Sequence, residues 1–197
     1  MSTIAGRVET KGDVSRVVVA ADSRGTMESD IWPGVDQKIW SARGNGWSVG
    51  VGMAGSSDLT EICRFAAPAV LEEKRSKRFW NSSREAAYEA CLAMKSVFGT
   101  FGAETMTNDG SLPSYDTNGL IAVDVDGYVS LWMFWSSLVP DRVDDFFAVG
   151  SGSSYAMGAM ASGASPVDAI RVSERFDTST HSPVATFEVD GKPAPRD

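Results

Sequence analysis

The sequence predicts an α+β fold of four layers, with helices outside two stacked β-sheets. Three observations carry this expectation. Apolar patterning runs in the order strands, two helices, strands, two helices, strand. Strands such as Val17-Val18-Val19-Ala20-Ala21 are apolar without alternation, so both of their faces must be covered. No repeat or low-complexity linker divides the 197 residues, a length that suits one domain of roughly 100–200 residues. Two such sheets are satisfied by stacking on each other and carrying helices outside, an αββα sandwich.

Each element has its own signal. Thr3–Val8 and Arg16–Ala21 read as a hairpin whose polar turn is Glu9-Thr10-Lys11-Gly12-Asp13. Lys38–Ser41 and Trp47–Met53 form a second pair, joined through Arg43-Gly44-Asn45-Gly46. At Ala54-Gly55-Ser56-Ser57-Asp58 the period becomes helical, with Ser56, Ser57 and Asp58 as candidate N-caps. Leu59, Ile62, Cys63, Ala66, Ala67, Val70 and Leu71 then mark a helix to about Arg75. Ser82 or Ser83 caps the next, with Ala86, Ala87, Ala90, Cys91, Met94, Val97 and Phe98 on one face. Residues 99–115 read as a loop. Leu120–Val123 and Tyr128–Trp135 are strands about an Asp126-Gly127 turn, and Phe146–Val149 is another. Helices over Ser153–Ala161 and Pro166–Phe176 precede a last strand, Val184–Val189. The expected organisation is a single domain, 1–197, with a loose tail from about 190.

Composition removes whole classes of function. Eighteen Lys+Arg against 26 Asp+Glu give a net charge of −8, the opposite of the basic footprint a nucleic-acid binder needs. At 43% hydrophobic and 22% charged, the chain is no disordered polymer. No apolar run is long enough to span a membrane, and no basic-then-apolar leader is visible, so a cytoplasmic location is the default expectation. Two cysteines inside predicted helices suggest no disulfide scaffold. One histidine and no HExxH or CxxC spacing argue against a transition-metal site. Gly150-Ser151-Gly152 lacks the third glycine of a dinucleotide loop and the lysine of a P-loop, so no cofactor is expected. Asp124-Val125-Asp126-Gly127 begins like a calcium loop but reads as a strand ending in a turn. A Ser-His-Asp triad would have to use His181, which reads as a loop residue without a GxSxG elbow nearby. Lys74, Arg75, Lys77 and Arg78 read as a solvated helix end, where cations favour the dipole. Trp132 and Trp135 read as core or subunit interface.

The N-terminus holds the chemistry that remains. Ser2 is small enough for Met1 to be removed before it, which would leave a free α-amine beside the Ser2 hydroxyl. Such an amine titrates near about pH 7.7–8.0 without tuning, so it is a ready general base. The nucleophile still needs a cation to favour the alkoxide, an anion to hold that cation, and N–H donors for the oxyanion.

Five segments in order resemble a proteasome β-subunit and the related HslV-type peptidases. They are Ser2-Thr3-Ile4-Ala5-Gly6, Val19 through Thr26 (VAADSRGT), Lys38-Ile39, Met53-Ala54-Gly55, and Phe147 through Ser153 (FAVGSGS) followed by Tyr155, Ala156 and Gly158. Asp177-Thr178-Ser179-Thr180 resembles the closing segment of the same family, and the likeness runs from Ser2 to about Asp190. It implies a proteasome-like N-terminal-nucleophile hydrolase with Ser2 as the nucleophile, where the family usually has threonine. Asp22 would hold Lys38, and Lys38 would lower the pKa of the Ser2 hydroxyl. The Gly55 N–H would form the oxyanion hole, and Ser151, Asp177 and Thr180 would orient the amine. Arg24 would brace the strand end, the Thr26 backbone would pair with an extended peptide, and Met53 would wall the primary pocket. The resemblance further implies a homo-oligomeric ring or stacked rings, a peptide or unfolded-protein substrate and, by analogy with HslV, an ATPase unfoldase partner.

The chain departs from the family pattern in three ways. The first hairpin is about four residues longer, an even insertion that preserves strand faces. Thr180 replaces a serine, and His181 and Ser182 stand where the family has glycines. With Met1 retained, the Ser2 nitrogen would be an amide, and the alternative is a catalytically silent ring protein. A third reading is an amidase or acyltransferase acting on a small molecule.

Overall fold

The computed structural model describes residues 2–27, 30–35, 37–103 and 114–195, so Met1 falls outside it. In chain order the elements are β1 (Thr3–Lys11), β2 (Val14–Ala21), β3 (Arg24–Met27), β4 (Asp30–Val35), β5 (Ile39–Gly44), β6 (Trp47–Gly55), α1 (Ser57–Lys77) and α2 (Ser83–Thr100). There follow β7 (Thr117–Val125), β8 (Tyr128–Phe134), β9 (Pro140–Val143), β10 (Phe146–Gly150), α3 (Ser153–Ala161), α4 (Pro166–Glu174) and β11 (Ala185–Pro193).

Strands β10-β1-β2-β11 form one layer and β8-β7-β6-β5, with β9 paired to β8, form the other; the two layers are joined where the end of β11 pairs parallel with β8. Three apolar layers hold them. Between the sheets, Ile4, Val17, Val19, Val149 and Phe187 meet Leu120, Ala122, Val129 and Leu131. Under α1 and α2, Trp40, Val49, Val51 and Met53 meet Cys63, Leu71, Met94 and Phe98. Under α3 and α4, Ala5, Ala20 and Ala148 meet Ala156, Met160, Ala169 and Ile170. Val17 and Val19 therefore point inward while Ala20 points to the helices, which is why β2 shows no alternation. The architecture is the expected αββα sandwich.

Caps fix the helices where the sequence places them. Ser56 accepts from the Leu59 N–H at 3.4 Å, Ser82 from the Glu85 N–H at 3.3 Å, and Ser165 from the Asp168 N–H at 3.1 Å with Pro166 following. The Asp126-Gly127 turn has φ of 52° and 79°. The basic cluster is a solvated helix end at Lys77 and Arg78, as expected, while Lys74 is half-buried and reaches Glu89 of α2 at 3.0 Å. Trp132 is buried, its indole N–H donating to the Ser130 hydroxyl at 2.7 Å, while Trp135 is half-exposed against the Phe147 edge.

Four differences from the sequence reading share one cause. The first hairpin extends through Lys11 and Val14, the β3–β4 hairpin and β9 were not expected, and β11 runs past residue 190 to Pro193. The expected loose tail is instead bonded: the Lys192 N–H donates to the Gly127 carbonyl at 2.7 Å and the Ala194 N–H to the Val129 carbonyl at 3.0 Å. Arg142 adds a bond to the Ala194 carbonyl at 2.7 Å. All are short polar or Pro-containing stretches held by main-chain pairing, which leaves little hydrophobic signal. Residues 104–113 of the expected loop lie outside the described residues, while Gly99 and Thr100 complete α2.

Among the described residues, no helix is long and apolar enough to cross a membrane. Cys63 and Cys91 are buried in the helix layer, and burial pushes both thiols up to about 12. A thiol-specific chromogenic reagent is expected to label neither cysteine in the native protein and both after denaturation.

Candidate active site

Ser2 sits at the start of β1, 4% exposed, with its carbonyl accepting the Ser151 N–H at 2.8 Å. That approach requires glycine just before Ser151. Gly150 has φ +93°, and a Cβ there would stand 1.9 Å from the Ser2 carbonyl oxygen.

Asp22 follows the end of β2 and is fully buried. Its Oδ1 accepts the Thr3 N–H at 2.8 Å and Lys38 Nζ at 2.9 Å. Its Oδ2 accepts the Arg24 N–H at 3.1 Å and the His181 N–H at 3.3 Å. Four donors, one of them charged, satisfy the lone pairs of a carboxylate enclosed away from water. Lys38 is equally enclosed, with 3% of its side chain exposed, and also donates to the Arg24 carbonyl at 2.5 Å. The Met53 N–H donates to the Lys38 carbonyl at 2.9 Å, which brings the end of β6 alongside. There Gly55 has φ +116°, and a Cβ would lie 2.3 Å from the Asp116 carbonyl oxygen.

A second cluster gathers on Asp177. The Thr180 hydroxyl donates to Oδ2 at 2.6 Å, the Ser151 hydroxyl to the same oxygen at 2.7 Å, and the Ser179 N–H to Oδ1 at 3.2 Å. Because Thr180 donates to Asp177, the Thr3 hydroxyl is the donor in its 2.5 Å contact with Thr180. Burial works to raise the Asp177 carboxyl, but the bonds from Thr180, Ser151 and Ser179 outweigh it and hold the group below its ordinary 3.8. A folded-state value below the unfolded one contributes stability above that pH and loses it as pH falls through it. Asp177→Asn is therefore expected to lower the urea midpoint near neutrality, with the gap to the parent closing below about pH 4.

Arg24 donates from Nη1 to the Thr178 carbonyl, tying the 177–180 loop to β3. Thr26 lies in β3 with its backbone opposite Ile31 of β4. Met53 is wholly buried in the helix-side core, its sulfur accepting the Trp40 indole N–H at 3.3 Å. Ser2, Ser151, Asp177, Thr180, Asp22 and Lys38 are thus linked through Thr3 in one hydrogen-bonded series.

Three participants escape a sequence reading. Thr3 bonds both Asp22 and Thr180, the His181 main chain caps Asp22, and Glu174 holds the His181 ring. His181 is a loop residue, as expected, and serves Asp22 by its N–H while its ring pairs with Glu174. Among the described non-glycine residues only Asp126 and Leu138 have positive φ, so the backbone at His181 and Ser182 does not require glycine.

No protein-family profile and no curated protein matches the chain. Solved structures match it throughout. BPH from Thiobacillus denitrificans in complex with epoxomicin has a TM-score of 0.64 at 19% identity, covering 97% of this chain and 100% of that one. Eukaryotic HslV from Trypanosoma brucei gives 0.60 at 19% identity, over 94% and 98%. The Anbu complex from Pseudomonas aeruginosa, solved as a helical assembly, gives 0.66 at 12% identity, over 96% and 81%. The fold is that of the proteasome-like N-terminal-nucleophile hydrolases. Within this fold, the start of β1 and the ends of β2 and β10 meet where the Ser2 carbonyl and the Asp22–Lys38 pair lie, and Met53 of β6 bonds the Lys38 main chain.

Proposed function

We propose that this chain is an N-terminal-nucleophile peptidase that works once Met1 is removed. The observation that carries this reading is the enclosed Lys38–Asp22 pair bonded to the start of β1. The Ser2 hydroxyl attacks the peptide carbonyl as its proton passes to the Ser2 α-amine. Lys38 favours the alkoxide, Asp22 fixes Lys38, and the Gly55 N–H stabilises the oxyanion. The amine then returns the proton to the leaving nitrogen as the C–N bond breaks. Water, deprotonated by the same amine, hydrolyses the Ser2 ester. Ser151, Asp177 and Thr180 orient the amine, and Arg24 braces their loop. The Thr26 backbone pairs with the extended substrate, and Met53 backs the primary pocket.

The substrate is a peptide or unfolded protein, admitted to a chamber formed by copies of this chain. Self-assembly is supported by the helical Anbu assembly and by Phe65, Phe79 and Phe176, which the single chain leaves 79%, 81% and 63% exposed. An ATPase unfoldase feeding the chamber and a cytoplasmic setting belong to the same proposal, by analogy with HslV.

Intact-mass measurement of untagged protein, before and after epoxomicin, tests it. Loss of the methionine mass plus one inhibitor mapped to Ser2 is the expected result. Retained methionine without an adduct would overturn it in favour of a silent ring protein.

A further inference from the structure

Glu174 ends α4 and has no part in the chemistry above. A carboxylate in the last turn of a helix opposes the helix dipole, so helix stability does not explain it. Its contacts do. Oε1 accepts the Ser182 N–H at 3.2 Å and pairs with His181 Nδ1, while Oε2 accepts the Ser182 hydroxyl at 2.8 Å. Burial acts to raise this carboxyl, but the Ser182 and His181 contacts outweigh it and leave it below its ordinary range. One of the two residues it grips, His181, bonds Asp22. The His181 N–H is the longest of the four donors to that carboxylate, at 3.3 Å, and the His181 carbonyl accepts the Ser23 N–H at 3.0 Å. A shift of a few tenths of an ångström in this loop would take the contact beyond hydrogen-bonding range.

We propose that Glu174 is a positioning residue: by gripping His181 and Ser182 it holds the main-chain N–H that completes the Asp22 cage, and so aims Lys38. The catalytic part of this inference rests on the peptidase reading above; the grip itself does not. The aim of Lys38 matters to the chemical step and little to ligand binding, so the effect falls on rate at saturation.

Two measurements on the full chain separate these parts. Glu174→Ala is expected to speed amide exchange at His181 at least about tenfold. It is also expected to lower the saturating epoxomicin alkylation rate, kinact, about tenfold, with KI within about twofold of the parent. Glu174→Gln keeps an oxygen for the Ser182 N–H and is expected to recover most of that loss. His181→Ala removes only the ring contact and is expected to fall between them, which keeps the test open should Glu174→Ala fold poorly. Unchanged exchange at His181 would overturn the grip. Faster exchange with kinact within twofold of the parent would overturn the positioning role. A parent that takes no epoxomicin, with exchange still responding to Glu174→Ala, would sink the peptidase reading and leave the grip on Asp22 standing.

Discussion

Replacing Lys38 with alanine is expected to abolish epoxomicin alkylation and to cost about 3–5 kcal/mol of folding stability. Both effects come from one geometry. Asp22 is fully buried, and its other donors, the N–H groups of Thr3, Arg24 and His181, are neutral. Removing the lysine leaves a carboxylate in the interior without its counter-ion at 2.9 Å. Urea unfolding should show a lower midpoint with an unchanged slope, the mark of lost stability rather than altered compactness. The double variant Lys38→Met with Asp22→Asn separates the effects. With both charges gone, most of the stability is expected to return while alkylation stays absent. Alkylation restored in the double variant would mean that the pair only supports the fold.

How far the sequence alone reaches can be argued from the same residues. β2 was legible because Val17, Val19 and Ala20 must all be buried, and α1 and α2 because a serine cap precedes each periodic run. β9 and the end of β11 were not, since Asp141, Arg142, Lys192 and Pro193 are held by backbone pairing that any side chain permits. The site divides similarly. Ser2 could be singled out from its own chemistry, a hydroxyl beside a potential α-amine, whereas the roles proposed for Asp22 and Lys38 came from the resemblance. The His181 N–H on Asp22 and the Ser151 N–H on Ser2 are main-chain groups, to which residue type gives no clue. Glu174 was hidden for another reason. Its acidic side chain looks like an ordinary helix end until the 181–182 loop is seen folded back onto it.

The second large effect concerns an atom rather than a side chain. Protein that begins at Ser2 is expected to react with epoxomicin, and to hydrolyse peptides, about 10²–10⁴ times faster than the same chain with a residue kept in front of Ser2. An α-amine accepts a proton near neutral pH, whereas an amide nitrogen has no useful basicity. The comparison leaves Lys38, Asp22 and Gly55 unaltered, so it isolates the base from the electrostatics that Lys38→Ala removes. It also carries a pH signature. The rate of the Ser2-first protein should rise with pH until the amine is deprotonated, near about pH 8, and then level off, because only the neutral amine can act as base. The extended chain should lack that inflection. Equal rates from the two forms would show that the Ser2 amine is not the base, and that the hydroxyl is activated by the Lys38 side of the site alone.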